Sequence, residues 1–507
     1  MKGLLAALAA ALVLVPAAHA GGSSVVFGAA EDRVRSPFSA ESELEMELLR
    51  LAGFKAVRVT SFWEPGLSEP TPHEAMVLAN VNAAAELQGV RVYLSVYNAG
   101  SRTTPLTVTQ RKQFAAYAAA IVAANPGFRD VIVGNEPNLN RFWMPQFALN
   151  GTGASAPAYL RLLATTYDAL KLASPDVRVW GGALAPRGVD KPNTGRDTIS
   201  PTRFLRELGV AYRKSGRDLP IMDGFSFHPY PQNSSVPVDA LPADPDHLGL
   251  IDQDVLVRLL GRAFDGTAQI GRGMPILYDE FGIESAIPPD KRELYGGVEP
   301  ATTRPVPEAV QAAAYRRAIQ LAYCQSNVAG MLLFHTHDEP GRQGWQSGLA
   351  YADGTPKSSL EPVRRAMEAA ATASVGPCPV EARVSASFTT AARTISFRCE
   401  RACTYRARLL RLPRRSMIAV RTGRAGAGRR VTVQLTAPAT TPGWHQLSIF
   451  LVDGARPGRP VERVSTPFLV QSSSPPRPLP DAVAATVMAP RFWLEPSTTA
   501  FATTTKP

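Results

Sequence analysis

Cysteine is scarce in this chain, with four in 507 residues. That excludes a small cysteine-dense scaffold held by disulfides in place of a core. None of the four is spaced as a C-x-x-C zinc site. In an exported protein they would pair. Cys399 and Cys403 are close enough to close a small loop, which leaves Cys324 with Cys378, although spacing alone keeps the connectivity open. Long apolar runs are also lacking: beyond the first twenty residues no segment approaches the length of a membrane span. No GxGxxG follows the first candidate strand, which argues against an open, doubly wound, nucleotide-binding sheet. Acidic residues are outnumbered, 43 to 54, giving a formal charge of +11. The excess sits in one stretch holding Arg401, Arg406, Arg408, Arg411, Arg414, Arg415, Arg421, Arg424, Arg429 and Arg430. A nucleic-acid surface would interleave aromatics with such charge, and only Tyr405 stands there. A solvated face is the plainer reading, and contact with an anionic polymer, a cell wall or a cell surface is the second.

The residues that are present divide the chain into four stretches. Residues 1–20 read as a signal peptide: Lys2 supplies the positive start, Leu4 to Val15 the apolar run, and Ala18-His19-Ala20 a small-x-small cleavage site. The protein is therefore expected to be secreted. Residues 21–376 alternate strand-like and helix-like runs. Residues 377–471 alternate apolar and polar positions, as in Thr394-Ile395-Ser396-Phe397 and Arg430-Val431-Thr432-Val433, and read as a small β-sandwich. Residues 472–507 are rich in Pro, Ser and Thr and are expected to be disordered.

Within the long second stretch, eight strands are expected: Val25–Ala30, Lys55–Ser61, Arg91–Tyr97, Asp130–Gly134, Val177–Ala183, Met222–His228, Pro275–Glu280 and Val328–Phe334. Helical periodicity fills each gap. Cap signals mark the helix starts, with Ser39 expected to cap the first, Pro72 to open the second and Thr107 or Thr109 the third. Eight βα units in one domain predict a (β/α)8 barrel.

In such a barrel the chemistry lies at the C-terminal ends of the strands. The fourth strand, Val131-Ile132-Val133, is β-branched throughout and reads as buried on both faces. It stops at Gly134 and runs into Asn135-Glu136-Pro137-Asn138. A carboxylate at the mouth of an apolar strand costs free energy unless it has a partner or a task. Pro137 is expected to bias Glu136 toward an extended backbone. The seventh strand repeats the arrangement in Tyr278-Asp279-Glu280-Phe281-Gly282. The second strand carries Arg58, the sixth ends in His228-Pro229-Tyr230, and the eighth is followed by His335, His337, Asp338, Glu339 and Trp345. Carboxylates, amides, imidazoles and aromatics together suit a sugar, whose hydroxyls take polar partners and whose ring faces stack on aromatics.

Gly134-Asn135-Glu136-Pro137 and Tyr278-Asp279-Glu280-Phe281-Gly282 resemble the strand-four and strand-seven motifs of glycoside hydrolase clan A. These are retaining (β/α)8 glycosidases that include families 5 and 39. Arg58, His228-Pro229-Tyr230 and Trp345 resemble the clan's strand-two, strand-six and strand-eight motifs. The resemblance covers residues 24–370. It implies Glu136 as general acid/base and Glu280 as nucleophile. It implies that Asn135 bonds the sugar's 2-hydroxyl, that Arg58 and Tyr230 orient Glu280, that His228 lies near the reacting sugar and that Trp345 forms a stacking floor. The substrate would be a β-linked oligo- or polysaccharide, and no cofactor would be needed. Two departures stand out. Tyr97-Asn98 ends strand three where family 5 often has histidine. Asp279 precedes Glu280 where a neutral residue is commoner, and it would either raise the pKa of Glu280 or point outward.

Two other readings remain. A catalytically silent carbohydrate-binding barrel would keep the fold and lose turnover. A metal-dependent hydrolase would use His335, His337, Asp338 and Glu339, although no spacing fixes a third ligand and a solvated loop explains the same residues.

Overall fold

The computed structural model describes residues 21–470, apart from 241, 245, 377, 379–383, 400–401, 413–415, 437–441 and 454–460. The expected signal peptide, the tail from 472, and Arg401, Arg414 and Arg415 lie outside the described residues. The chain divides into two compact units, Met1–Cys378 and Pro379–Pro507. Among the described residues no helix is long and apolar enough to cross a membrane.

The first unit is a closed barrel of eight parallel strands in chain order. They are β1 (Val26–Ala30), β2 (Ala56–Trp63), β3 (Arg91–Asn98), β4 (Asp130–Val133), β5 (Arg178–Leu184), β6 (Gly224–Phe227), β7 (Ile276–Phe281) and β8 (Val328–Phe334). Parallel pairing of β1 with β8, from Val26 opposite Gly330 to Ala30 opposite Phe334, closes the ring. Each strand begins within two residues of its expected start. The helices are α1 (Ser39–Leu51), α2 (Pro72–Gln88), α3 (Val108–Ala124), α4 (Ser155–Ala173), α5 (Pro201–Ser215), α6 (Gln253–Phe264), α7 (Glu308–Cys324) and α8 (Leu360–Ala371).

Local chemistry sets the helix starts. Thr71 accepts the Glu74 amide ahead of Pro72, and Thr107 forms a full capping box with Gln110. Ser39 is not the cap expected of it. It is the first helical residue, and Phe38 stands at the cap without a side-chain bond. Ser36 takes over locally, accepting from the Phe38 amide and donating to Glu41.

Two apolar layers result. The larger lies between the sheet and the helices. The smaller fills the barrel with Ala56, Tyr93, Ile132, Trp180, Ala183, Leu277 and Leu332. Asp130 is buried in this inner layer and accepts the Trp180 indole N–H at 2.9 Å, while Arg91 and Arg178 pair with it. The interior is thus a packed floor beneath the mouth, as expected of a (β/α)8 barrel.

The second unit has two antiparallel sheets. One is ordered β13 (Arg430–Gln434), β10 (Thr394–Cys399), β9 (Val384–Thr389). The other is ordered β12 (Ser416–Ala425), β11 (Cys403–Arg411), β14 (Gly443–Asp453), β15 (Val461–Val464), with β16 (Phe468–Val470) also on β14. Ile395, Phe397 and Val433 from the first sheet and Ala407, Leu409, Leu447 and Ile449 from the second share one core, which makes the unit a sandwich. Tyr405, the aromatic seen among the arginines in sequence, packs against that core and lies 5.0 Å from Phe397. Phe450 instead pairs with Arg406 across strands and lies under the Arg408 guanidinium at 4.2 Å.

Disulfides join Cys324 to Cys378 and Cys399 to Cys403.

Candidate active site

The turn after β4 positions the first carboxylate. Gly134 has φ +86°, and a side chain there would meet the Tyr159 ring at 2.9 Å. Tyr159 needs that space because its hydroxyl bridges the ends of two strands, donating to the Val133 carbonyl at 2.6 Å and accepting from the Gly182 amide at 2.8 Å. Glu136 does not take the extended backbone expected before Pro137. Its φ is +39°, in the left-handed region. Tertiary bonds override the local preference. The Glu136 amide donates to the Ala183 carbonyl at 2.8 Å. Fully buried Asn138 ties the same turn to β5 and beyond, donating to the carbonyls of Ala185 and Ile199 and accepting the Ala185 amide.

The second carboxylate comes from an irregular strand. Leu277 faces the barrel interior, so alternation sends Asp279 inward and Glu280 outward. Pairing of β7 with β8 slips between Tyr278 and Phe281. A slip of this kind re-aims a side chain. Both acids consequently reach the mouth. Asp279, for which an outward pose was one expectation, is fully buried and bonded by the Ser226 hydroxyl.

Arg58 joins the two glutamate turns. Its Nη1 lies 2.7 Å from Glu280 Oε1, its Nη2 donates to Asn135 Oδ1 at 2.9 Å and to Ser95 at 3.1 Å, and its Nε is 3.4 Å from Asp279 Oδ2. Burial opposes its charge, but Glu280 and Asp279 outweigh that and raise its pKa. The bond through Oδ1 fixes which end of the Asn135 amide is left to donate. The Tyr230 hydroxyl donates to Glu280 Oε2 at 3.1 Å. Burial, then the charge of Glu280, push the Tyr230 pKa well above 10, so the proton stays on the phenol.

His228 is fully buried between three acids. Nδ1 lies 3.0 Å from Glu136 Oε1 and 3.5 Å from Glu280 Oε2, while Nε2 is 3.2 Å from Asp279 Oδ1. The Asp279 contact is a close charge approach whose angle falls short of a hydrogen bond. Burial lowers the His228 pKa, but the charges of Asp279 and Glu280 outweigh it and raise the value well above 6.5. Burial would likewise raise Asp279, yet His228, Arg58 and Ser226 hold it below 3.8. His228 is thus neither a neutral core histidine nor a bystander.

One ligand atom from each of Glu136, His228 and Glu280 lies within 4.8 Å of the others. Geometrically that could hold a cation, but the chemistry of the set disfavours it. Arg58 already faces Glu280, and His228 is charged, with both nitrogens turned to carboxylates. The four residues read as possible metal ligands go elsewhere. Asp338 pairs with buried Lys357 at 2.7 Å and accepts from Tyr295. Glu339 accepts the Trp345 amide, His335 contacts the Ala30 carbonyl, and His337 contacts Thr336.

Aromatics flank the mouth on two sides. Trp345 lies 5.0 Å from Tyr230 and 5.4 Å from Phe334 between ring centroids. Across the mouth, Phe62, Tyr97 and Phe142 form an edge-on series, and Phe62 is 46% exposed. Asn98 turns away from the mouth and bonds the Gly100 and Phe142 carbonyls. Sequence reasoning missed Ser95, Asn138 and Ser226. Ser226 and Asn138 are polar residues near or beyond the end of a buried strand, Ser95 is a polar residue in the middle of one, and that was the available signal.

No family model matches the chain, and no curated protein matches it in sequence. Several solved structures are similar to it. One is a GH5_18 protein from Streptomyces cattleya in complex with Manβ1-4GlcNAc, at TM-score 0.48 and 16% identity, covering 70% of this chain and 83% of that one. A monomeric β-xylosidase from Caulobacter crescentus gives TM-score 0.44 and 14% identity, covering 84% and 96%. A β-glucuronidase from Bacteroides uniformis gives 0.44 and 10%, covering 89% of this chain and 46% of that one. This chain therefore spans less than half the length of the last. What the first unit itself shows is a closed (β/α)8 barrel, the fold expected from the sequence. At these identities the chemistry has to be read from the side chains themselves.

Proposed function

We propose that the protein is a retaining glycosidase acting on a β-linked glycoside, with Glu280 as nucleophile and Glu136 as general acid/base. One observation carries the reading: carboxylate oxygens of Glu136, on the turn after β4, and Glu280, near the end of β7, lie within 4.8 Å of each other. Retaining enzymes hold the pair about 5–5.5 Å apart, whereas inverting enzymes leave about 6.5–9.5 Å for a water.

In the first step Glu280 attacks the anomeric carbon. The bond to the leaving oxygen breaks, and that oxygen takes the proton of Glu136. In the second step water attacks the same carbon, Glu136 takes its proton, and the bond to Glu280 breaks. Arg58 and Tyr230 face the two Glu280 oxygens and preorganise the nucleophile. Asn135 offers its amide hydrogens toward the sugar, and Trp345 and Phe62 offer ring faces. The proposal extends to export, supported by residues 1–20 and by two disulfides. The sandwich would attach the enzyme to a polymer or cell wall, a role supported by Arg406 and Arg408 around Phe450.

The test is incubation with 2-fluoro aryl β-glycosides followed by peptide mass mapping. A covalent adduct on Glu280 is expected, and Glu280→Gln should lose turnover without losing its fold. Full activity in that variant would end the assignment. A folded protein that binds sugars and is never labelled would be the silent barrel.

A further inference from the structure

We infer that the cavity beside Tyr230 is a subsite for a carboxylate carried by the substrate sugar, and that Arg187 is the residue that selects it. The inference deepens the glycosidase reading and rests on it. The cavity holds about 300 Å³ and is bounded by the turn after β5, the turn after β6 and the segment around 236–250. Neither glutamate lines it, but two of its wall residues face them. Tyr230, in its wall, bonds Glu280. Arg187, also in its wall, is close enough to Glu136 for the two charges to interact.

Arg187 is half-buried. Its Nη1 donates to the carbonyls of Tyr230 at 3.2 Å and Pro231 at 2.9 Å. Those two bonds would suffice for a structural staple, and they use one nitrogen of the guanidinium. Among the described residues, Nε and Nη2 have no bond and no carboxylate pairs with the group. Arg91, Arg203 and Arg217, also half-buried, each sit on a carboxylate, whereas Arg50 bonds the Gln88 amide oxygen instead. Burial accordingly pushes the Arg187 pKa below its ordinary value, with only Glu136 opposing it. An uncompensated cation in a cleft is stabilised by an incoming anion. A planar guanidinium with two donors to spare matches a carboxylate, which has two oxygens in one plane.

The other charged groups of the wall do not satisfy Arg187. His247 contacts the Gly188 carbonyl at 3.1 Å and Asp244 at 3.8 Å, and the Asp244 side chain is 53% exposed. Five of the lining residues are prolines, Pro186 and Pro231 among them. Fixed φ angles make the cavity preformed, so little is lost in ordering it around a ligand.

The experiment compares aryl β-glucuronides and galacturonides with the matching neutral glucosides and galactosides and with their 6-sulfates. It uses the full chain, the wild type and Arg187→Gln; glutamine is too short to reach both carbonyls, so thermal denaturation checks its fold and the neutral glycosides report any loss that is merely structural. The wild type is expected to favour the uronides by at least about tenfold in kcat/KM, and Arg187→Gln to bring that ratio close to one. A ratio unchanged in the variant, or no uronide preference in the wild type, makes Arg187 a staple and overturns the inference while leaving the glycosidase reading standing. Preference for the sulfates overturns the carboxylate assignment. Binding of free glucuronate and galacturonate against glucose and galactose, followed by ligand-observed NMR, gives a readout apart from turnover. Uronate binding that depends on Arg187 in a protein that cleaves none of the panel would sink the glycosidase reading and support the subsite; no such binding would sink both.

Discussion

His228 Nε2 lies 3.2 Å from Asp279 Oδ1, and the same ring turns Nδ1 to Glu136 Oε1 at 3.0 Å. Strand seven therefore reaches Glu136, the proposed acid/base, through an imidazole just beyond strand six. The carboxylate that looked out of place in the sequence acts with Glu280 to raise the pKa of this imidazole.

Asp279→Asn tests that link. General acid/base help is worth about 10²–10⁴-fold, and partial loss of it should lower kcat/KM by about tenfold or more. A stability signature accompanies the kinetics. The His228 pKa is raised on folding, so its contribution is fully present below pH 6.5 and is lost as pH rises through the higher folded value. In Asp279→Asn that loss should be smaller and complete at lower pH, as seen by thermal unfolding between pH 5 and 10. Identical profiles for variant and wild type would remove Asp279 from the mechanism.

Arg58→Lys keeps a positive charge and loses the fork. Removing one preorganised donor from a reaction centre costs about 10²–10³-fold in kcat, and lysine cannot serve Glu280, Asn135 and Ser95 together. We expect a loss of that order in steady-state kinetics. Lysine supporting near-normal turnover would reduce Arg58 to a simple counter-charge.

Glu284 follows β7 and is buried. Burial pushes its pKa up to about 7 against the Gln346 amide, with Glu299, Asp338 and Glu339 adding to the rise and Lys357 nearby. The folded state thus holds this proton better than the unfolded state, whose value is near 4.5. Its contribution to stability is complete below pH 4.5 and is lost as pH climbs through 7. Glu284→Gln, which never ionises, should raise Tm at pH 8 and do little at pH 5. An equal shift at both pH values would refute the account.

Cys324 and Cys378 close a loop of 54 residues, whereas Cys399 and Cys403 are four apart. Loop entropy gives about 4 kcal/mol for the first and about 2 kcal/mol for the second. Cys378→Ser with Cys324→Ser should therefore lower denaturant stability of the barrel by roughly twice what the serine pair at 399 and 403 costs the sandwich. The reverse order would show that unfolded-state chain entropy is not the dominant effect.

The strands were legible because each pairs a β-branched or apolar run with a sharp stop, as Val131-Ile132-Val133 does before Gly134. Glu136 and Glu280 were legible because a carboxylate at such a stop is costly without a use. The backbone of Glu136 was not. The rule for residues before proline is local, and the Ala183 carbonyl that overrides it comes from the next strand. Asp279 was misjudged for a related reason. Its parity with Leu277 already sent it inward, and the pairing slip with β8 brought Glu280 in beside it. Arg187 stayed hidden because nothing in its own neighbourhood marks an arginine whose would-be partners have been turned away. Phe450 was missed among the arginines because only cross-strand register brings it there.

Arg58 answers to two strand-end acids, an amide and a hydroxyl at once. On the glycosidase reading, a change at this one residue would disturb both proposed catalytic segments at once. Ile132, one layer below, is held by packing alone, and another apolar side chain of its volume would serve there.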